Sequence, residues 1–177
     1  THAPIGKPLV VGITLNMLPP CTLQAPSATT ETFTSEAGLN PATQSFTIGV
    51  IGTCAGKVTV TPTATTTGGG TWLSVSPASA TATSKAPAKF TVTVTSAALA
   101  AGTFTGTISL AGVDSSGITI TGSPQSVTVN LSVAAPPVLA VSPPTLTFTQ
   151  STGANTQSIT VSNTGGETLN WSAALAQ

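Results

Sequence analysis

Apolar and hydroxyl-bearing side chains alternate along most of this chain. In Phe90-Thr91-Val92-Thr93-Val94-Thr95, Phe104-Thr105-Gly106-Thr107-Ile108-Ser109-Leu110 and Val127-Thr128-Val129-Asn130-Leu131-Ser132-Val133, apolar residues recur at every second position. That period belongs to a β-strand, whose successive side chains leave opposite faces of the sheet. Each run is therefore expected to be a half-buried strand. Gln44 to Val50, Lys57 to Thr63, Leu146 to Thr149 and Ser158 to Ser162 carry shorter versions of the pattern. Gly38-Leu39-Asn40-Pro41, Gly68-Gly69-Gly70, Gly122-Ser123-Pro124 and Asn163-Thr164-Gly165-Gly166 punctuate them as turns or loops. Ser96 to Ala101 has helical composition but is too short for more than a turn. Short strands at this spacing predict an all-β chain folded as a two-sheet sandwich.

Charge excludes several functions. Four Lys, no Arg, four carboxylates and one His make up the ionisable supply, at 5% charged residues and zero net charge. A nucleic-acid partner is excluded, because binding phosphates requires a cluster of Lys and Arg. General acid or base catalysis and the usual metal-ligand sets are also starved of side chains, so neither an enzyme nor a cofactor is expected. The longest apolar run, Pro8 to Leu15, is broken by Gly12 and far short of the roughly 20 residues a spanning helix needs. No transmembrane segment is read. Thr1 to Asn16 has neither a basic opening nor a small-residue cleavage site, so the sequence is expected to be a mature or truncated product. Solubility is left to hydroxyls: about a fifth of the residues are Thr, far above ordinary usage. Thr is β-branched, so it also favours strands.

The chain resembles itself. Val11, Ile13, Leu15, Met17, Pro20 and Leu23 match Val127, Val129, Leu131, Val133, Pro136 and Leu139 at an offset of 116. Phe33 matches Phe148 at an offset of 115, and Phe46, Ile48 and Val58 match Ile159, Val161 and Trp171 at an offset of 113. Residues 1–18 then read as the last strand and linker of one module, 19–135 as a complete module, and 136–177 as the opening strands of another. The last piece has no counterparts of Trp72 to Pro77, Phe90 to Thr95 or Phe104 to Leu110, so it is not expected to close a core alone. Two explanations stand. The chain is part of a longer array, or copies join head to tail. In the second, a donor segment (Leu9, Val10, Val11, Ile13, Leu15) enters an acceptor module (Leu146, Phe148, Ile159, Val161, Leu169, Trp171) of its neighbour.

A family resemblance follows from these phrases. Trp72-Leu73-Ser74-Val75-Ser76-Pro77, Phe90 to Val94, Ala101-Gly102-Thr103-Phe104-Thr105-Gly106-Thr107-Ile108 and Ser123-Pro124-Gln125-Ser126-Val127-Thr128-Val129 resemble, in order and spacing, a bacterial BACON-type immunoglobulin-like domain. Leu139-Ala140-Val141-Ser142-Pro143, Phe148 and Ser162 to Trp171 resemble the opening of the same domain. Cys21 to Ser27 departs from its opening strand, and Gly52-Thr53-Cys54 stands in place of the Asn-Thr-Gly-Gly turn. The resemblance implies immunoglobulin-like β-sandwich modules in tandem, the last incomplete, in extracellular or cell-surface bacterial proteins. It carries over no catalytic residues. Carbohydrate or mucin binding has been proposed for the family.

Cys21 and Cys54 have no cysteine counterparts in the last piece, where Pro137 and Glu167 hold the matching places. Loss of both together, and their positions at the start of one antiparallel strand and the end of the next, predict a disulfide and an oxidising compartment. Two free buried thiols are the alternative; a zinc site lacks further ligands. Trp72, Trp171 and the five Phe are expected to pack inside, leaving no aromatic platform for sugar stacking. Asn130-Leu131-Ser132 and Asn170-Trp171-Ser172 match the glycosylation pattern but fall within strand patterns. Asp114 reads as a turn residue and His2 as solvated. The expected function is a non-catalytic structural module of a bacterial surface fibre, filament or adhesin stalk; the alternative is a carbohydrate-binding accessory domain. The expected partners are other copies of the chain or adjacent Ig-like modules, with a glycan as the second class.

Overall fold

The computed structural model describes residues 6, 11–68, 70–150 and 155–175. Its strands are β1 (Thr22–Leu23), β2 (Thr30–Ser35), β3 (Gln44–Ile48), β4 (Val50–Ile51), β5 (Val58–Thr67), β6 (Leu73–Ser76), β7 (Ala80–Ala82), β8 (Ala88–Val94), β9 (Gly102–Val113), β10 (Gln125–Val133), β11 (Leu139–Ser142) and β12 (Thr160–Asn163). One sheet has the order β2-β10-β9-β5-β7 and the other β3-β8-β6. All pairings are antiparallel except β2 with β10, which is parallel. Among the described residues there is no helix.

The alternation read in the sequence is what joins these sheets. On β8, Ala88, Phe90, Val92 and Val94 are buried; on β10, Val127, Val129, Leu131 and Val133 are buried. Their hydroxyl and charged neighbours lie on the other phase, so each sheet turns an apolar face inward and a wet face outward. Phe46 and Phe90 sit opposite each other across the β3–β8 ladder, with ring centroids 5.7 Å apart. Trp72, just before β6, crosses to β9 and meets Phe104 edge to face at 6.4 Å. Its indole N–H donates to Gly68 O at 3.2 Å, which satisfies the polar end of a buried ring. Gly106 makes room for this crossing, since a Cβ there would lie 2.7 Å from Leu73 Cδ2. Pro62 falls within β5 but beyond the end of β7, on a free edge where a missing N–H costs no ladder bond.

Two expectations change. Leu146 to Thr149 is not a strand. Its counterpart β2 is held by a parallel ladder to β10, and nothing equivalent to β10 lies beside residues 145–150. Strand propensity without a partner forms no ladder. Residues 11–18, expected to be the end of a strand, are likewise not one; Leu9 and Val10 lie outside the described residues, as does His2.

Candidate functional site

Two corners of the chain have the same construction. In the first, β1 pairs with β4 in the register Leu23 to Val50 and Thr22 to Ile51. In the second, β11 pairs with β12 in the register Leu139 to Asn163, and Thr164 N–H donates to Val138 O at 2.9 Å. Leu139 is Leu23 plus 116, and Asn163 is Val50 plus 113, so the sequence offsets reappear in the hydrogen-bond register. The tight contact behind each corner is also shared. A Cβ on Gly52 would overlap Pro20 O, and a Cβ on Gly165 would overlap Pro136 O. Both pairs obey the same offsets. Only glycine lets the turn lie this close to the proline carbonyl.

The corners differ most in chemistry at one pair of positions. Cys21 and Cys54 are disulfide-bonded, with Cα atoms 4.6 Å apart and a sequence separation of 33. The alternative of free thiols is excluded among the described residues. Leu23 N–H donates to Thr121 O at 2.8 Å and Thr121 N–H to Cys21 O at 3.3 Å, so the stapled corner is tied to the β9–β10 connection. At the second corner Pro137 and Glu167 stand in the matching places, and Glu167 points to another element altogether.

The strand-donor and acceptor side chains are on the surface. Val11, Ile13 and Leu15 are 72%, 90% and 81% exposed. On the acceptor side Leu146, Phe148, Ile159 and Trp171 are all exposed, and Val161 and Leu169 are half-buried. The structure therefore does not bring donor and acceptor together within one chain. Trp171, expected to pack inside, is 57% exposed, and Phe148 is 56% exposed. Their counterparts Val58 and Phe33 are buried because β8, β9 and β10 cover them. Among the described residues no such cover lies over residues 139–150 and 155–171.

The other residues singled out have structural places. Asp114 Oδ1 accepts from the N–H groups of Ser116 and Ile118, which makes it a turn residue. Asn130 is exposed on β10, and Asn170 lies outside any strand. Among the described residues no three His, Cys, Asp or Glu side chains gather to hold a metal ion. An open cleft of about 290 Å³ runs between Gln24, Ser27 and Thr47 on one side and the Thr83–Pro87 turn on the other. Lys85 is its one charged lining residue, and no aromatic ring lines it. The sequence reading missed Glu31, which is 8% exposed and faces inward on β2; burial raises its carboxyl above the ordinary range. It also missed Ser96, which is fully buried.

No curated protein matches the chain. Among solved structures, it is similar to the CooA pilin subunit of enterotoxigenic Escherichia coli, at 15% identity, 65% of this chain, 99% of that one and a TM-score of 0.45. It is similar to a protein of Bacteroides ovatus described as carbohydrate-binding, at 12% identity, 72% of this chain, 44% of that one and a TM-score of 0.49. It is similar to the seventh PapD-like domain of human CEP192, at 15% identity, 75% of this chain, 96% of that one and a TM-score of 0.45. The profile of the family described as the viral BACON domain matches residues 26–134 and again residues 138–177. With the sandwich and the second corner both inside the matched segments, the chain belongs to the viral BACON domain family.

Proposed function

We propose that this chain is a non-catalytic structural module of an extracellular surface fibre, filament or adhesin stalk built from BACON-type sandwiches in tandem. Residues 19–135 are its complete unit, 136–177 open the next, and 1–18 correspond to the last strand of a unit before it. The observation that carries this reading is the repeated corner, which recurs at the same offsets in sequence and in hydrogen-bond register. Exposed apolar side chains from Leu139 to Trp171 support it, since inward positions of the first unit need strands to cover them in the second. The near absence of charge weakens repulsion between copies. A disulfide suits an oxidising exterior. Because the family is described as viral, the fibre we propose belongs to the outside of a virus particle, with a bacterial surface as the alternative setting.

In the head-to-tail form of this proposal, the exposed row of one chain receives residues 11–17 of another. The geometry is specific. Leu131 lies opposite Phe33 and Val129 opposite Glu31 in the parallel β10–β2 ladder. Carried over by the offsets of 116 and 115, that register sets Leu15 against Phe148 and Ile13 against Leu146. Negative-stain microscopy of the native protein tests the fibre: polymers with a regular axial repeat are expected, and monodisperse compact particles contradict it. Deleting Thr1 to Asn16 tests strand donation within it, because polymers that form normally without those residues are not held by that strand.

A further inference from the structure

The sandwich and the second corner meet through one carboxylate. Ala37 N–H donates to Glu167 Oε1 at 2.6 Å, across 130 residues of sequence. The donor sits in the Glu36–Leu39 turn that follows β2, closed by Leu39 N–H donating to Glu36 O at 3.1 Å. Gly38 takes φ 80 in this turn, and Ala37 occupies the position before it. That is the pattern of a type II turn, with its second residue presenting a free N–H.

The receiving turn is held in place from beneath. Ser96, two residues beyond β8, is fully buried, and its Oγ lies 2.8 Å from Leu39 O and 2.9 Å from Ser35 Oγ. With one proton to give, it serves the Leu39 carbonyl or the Ser35 hydroxyl in turn, while the Ser35 hydroxyl donates to Glu36 O at 3.3 Å. Asn40 Oδ1 accepts from the N–H groups of Ser96 and Ala97 at 2.8 and 2.9 Å. The turn is thus fastened to a strand whose Phe90, Val92 and Val94 belong to the core.

The delivering side is equally fixed. Asn163 Oδ1 accepts from Val138 N–H at 3.0 Å and Gly165 N–H at 2.9 Å, and its Nδ2 donates to Glu167 O. Gly165 and Gly166 lie against the backbone of Ala135 to Val138 with no room for side chains: a Cβ on Gly165 would come within 2.7 Å of Val138 N. Hinge and turn therefore form one piece that aims a carboxylate back at the sandwich.

We propose that the Glu36–Leu39 turn is a preorganised docking site for the acidic turn of the following unit. Glu167 latches into it and fixes the angle between successive units, so that the chain is a stiff rod. A carboxylate makes a stronger acceptor for a backbone N–H than a neutral group does. The first corner carries Cys54 at the place equivalent to Glu167, consumed by the bond to Cys21. One corner is stapled to itself; the other reaches out to the unit before it.

Spin labels on Thr105→Cys and Ser162→Cys, both exposed strand positions, report the angle as a distance distribution in the full chain. The native cysteines are bonded to each other and do not compete. One narrow distance is expected in the parent. Glu167→Ala and, independently, Ala37→Pro are each expected to broaden it about twofold, since domains joined by small interfaces move by default. Proline is favoured at the second position of this turn and removes only the N–H, so the unfolding midpoint of the sandwich serves as the control. A width unchanged in either variant, or a parent distribution already as broad as the variants', overturns the latch.

Discussion

Glu31 faces the interior of the sandwich on a strand whose other inward residues are Phe33 and Ser35. Among the described residues no cation pairs with its carboxylate, and burial raises its pKa. The sign of the consequence follows from linkage: a group whose folded pKa lies above its unfolded value stabilises fully at low pH and loses that contribution as pH rises through the folded value. Urea midpoints should therefore fall from about pH 4, the ordinary glutamate range, toward neutrality. In Glu31→Gln that slope should flatten and the midpoint at neutral pH should rise above the parent's. Equal pH profiles in parent and variant would mean the carboxylate is solvated in the fold. Ser96 is the opposite case, a buried polar side chain with its partners at hand. Neither is visible in the sequence: a Glu in the inward phase of a Thr-rich strand looks like another outward one, and Ser96 reads as the start of a turn.

At the scale of elements, legibility followed the strength of the alternation. β8, β9 and β10 were readable because apolar residues occupy every inward position or leave only a glycine there. β2, Thr30 to Ser35, was not singled out, since Phe33 is its one apolar residue. Residues 146–149 show the reverse failure: a good pattern that forms no strand where no partner ladder lies alongside. The disulfide was legible from absence, because both cysteines lack counterparts at the second corner. It closes β1 onto β4, a ladder with two residue pairs. Replacing Cys21 and Cys54 together by Ser should cost about 3–4 kcal/mol in the chain-entropy model for a loop of this length. Denaturant unfolding measures that loss, and a cost near zero would show that the Thr121 bonds alone fix the corner. The contact of Glu167 with Ala37 had no sequence signal, because a carboxylate aimed at a backbone N–H leaves no complementary side chain to find.

For the whole molecule, the account rests on the difference between a unit that closes its own core and one that does not. From Leu23 to Val133 the inward side chains are covered by two sheets; from Leu139 to Trp171 most are exposed, and Val161 and Leu169 are half-buried. That contrast is what makes a structural, assembling role the best reading of a family member with so few ionisable groups. Amide hydrogen exchange of the full chain, followed in dilute solution and after assembly, measures it directly. Slow exchange is predicted in β8, β9 and β10 under both conditions, and fast exchange over residues 145–150 and 155–159, outside the latched β11–β12 ladder, that becomes slow only on assembly. Slow exchange over residues 145–150 and 155–159 in the dilute monomer would contradict that reading, because the second unit would then be stable with nothing further to cover it.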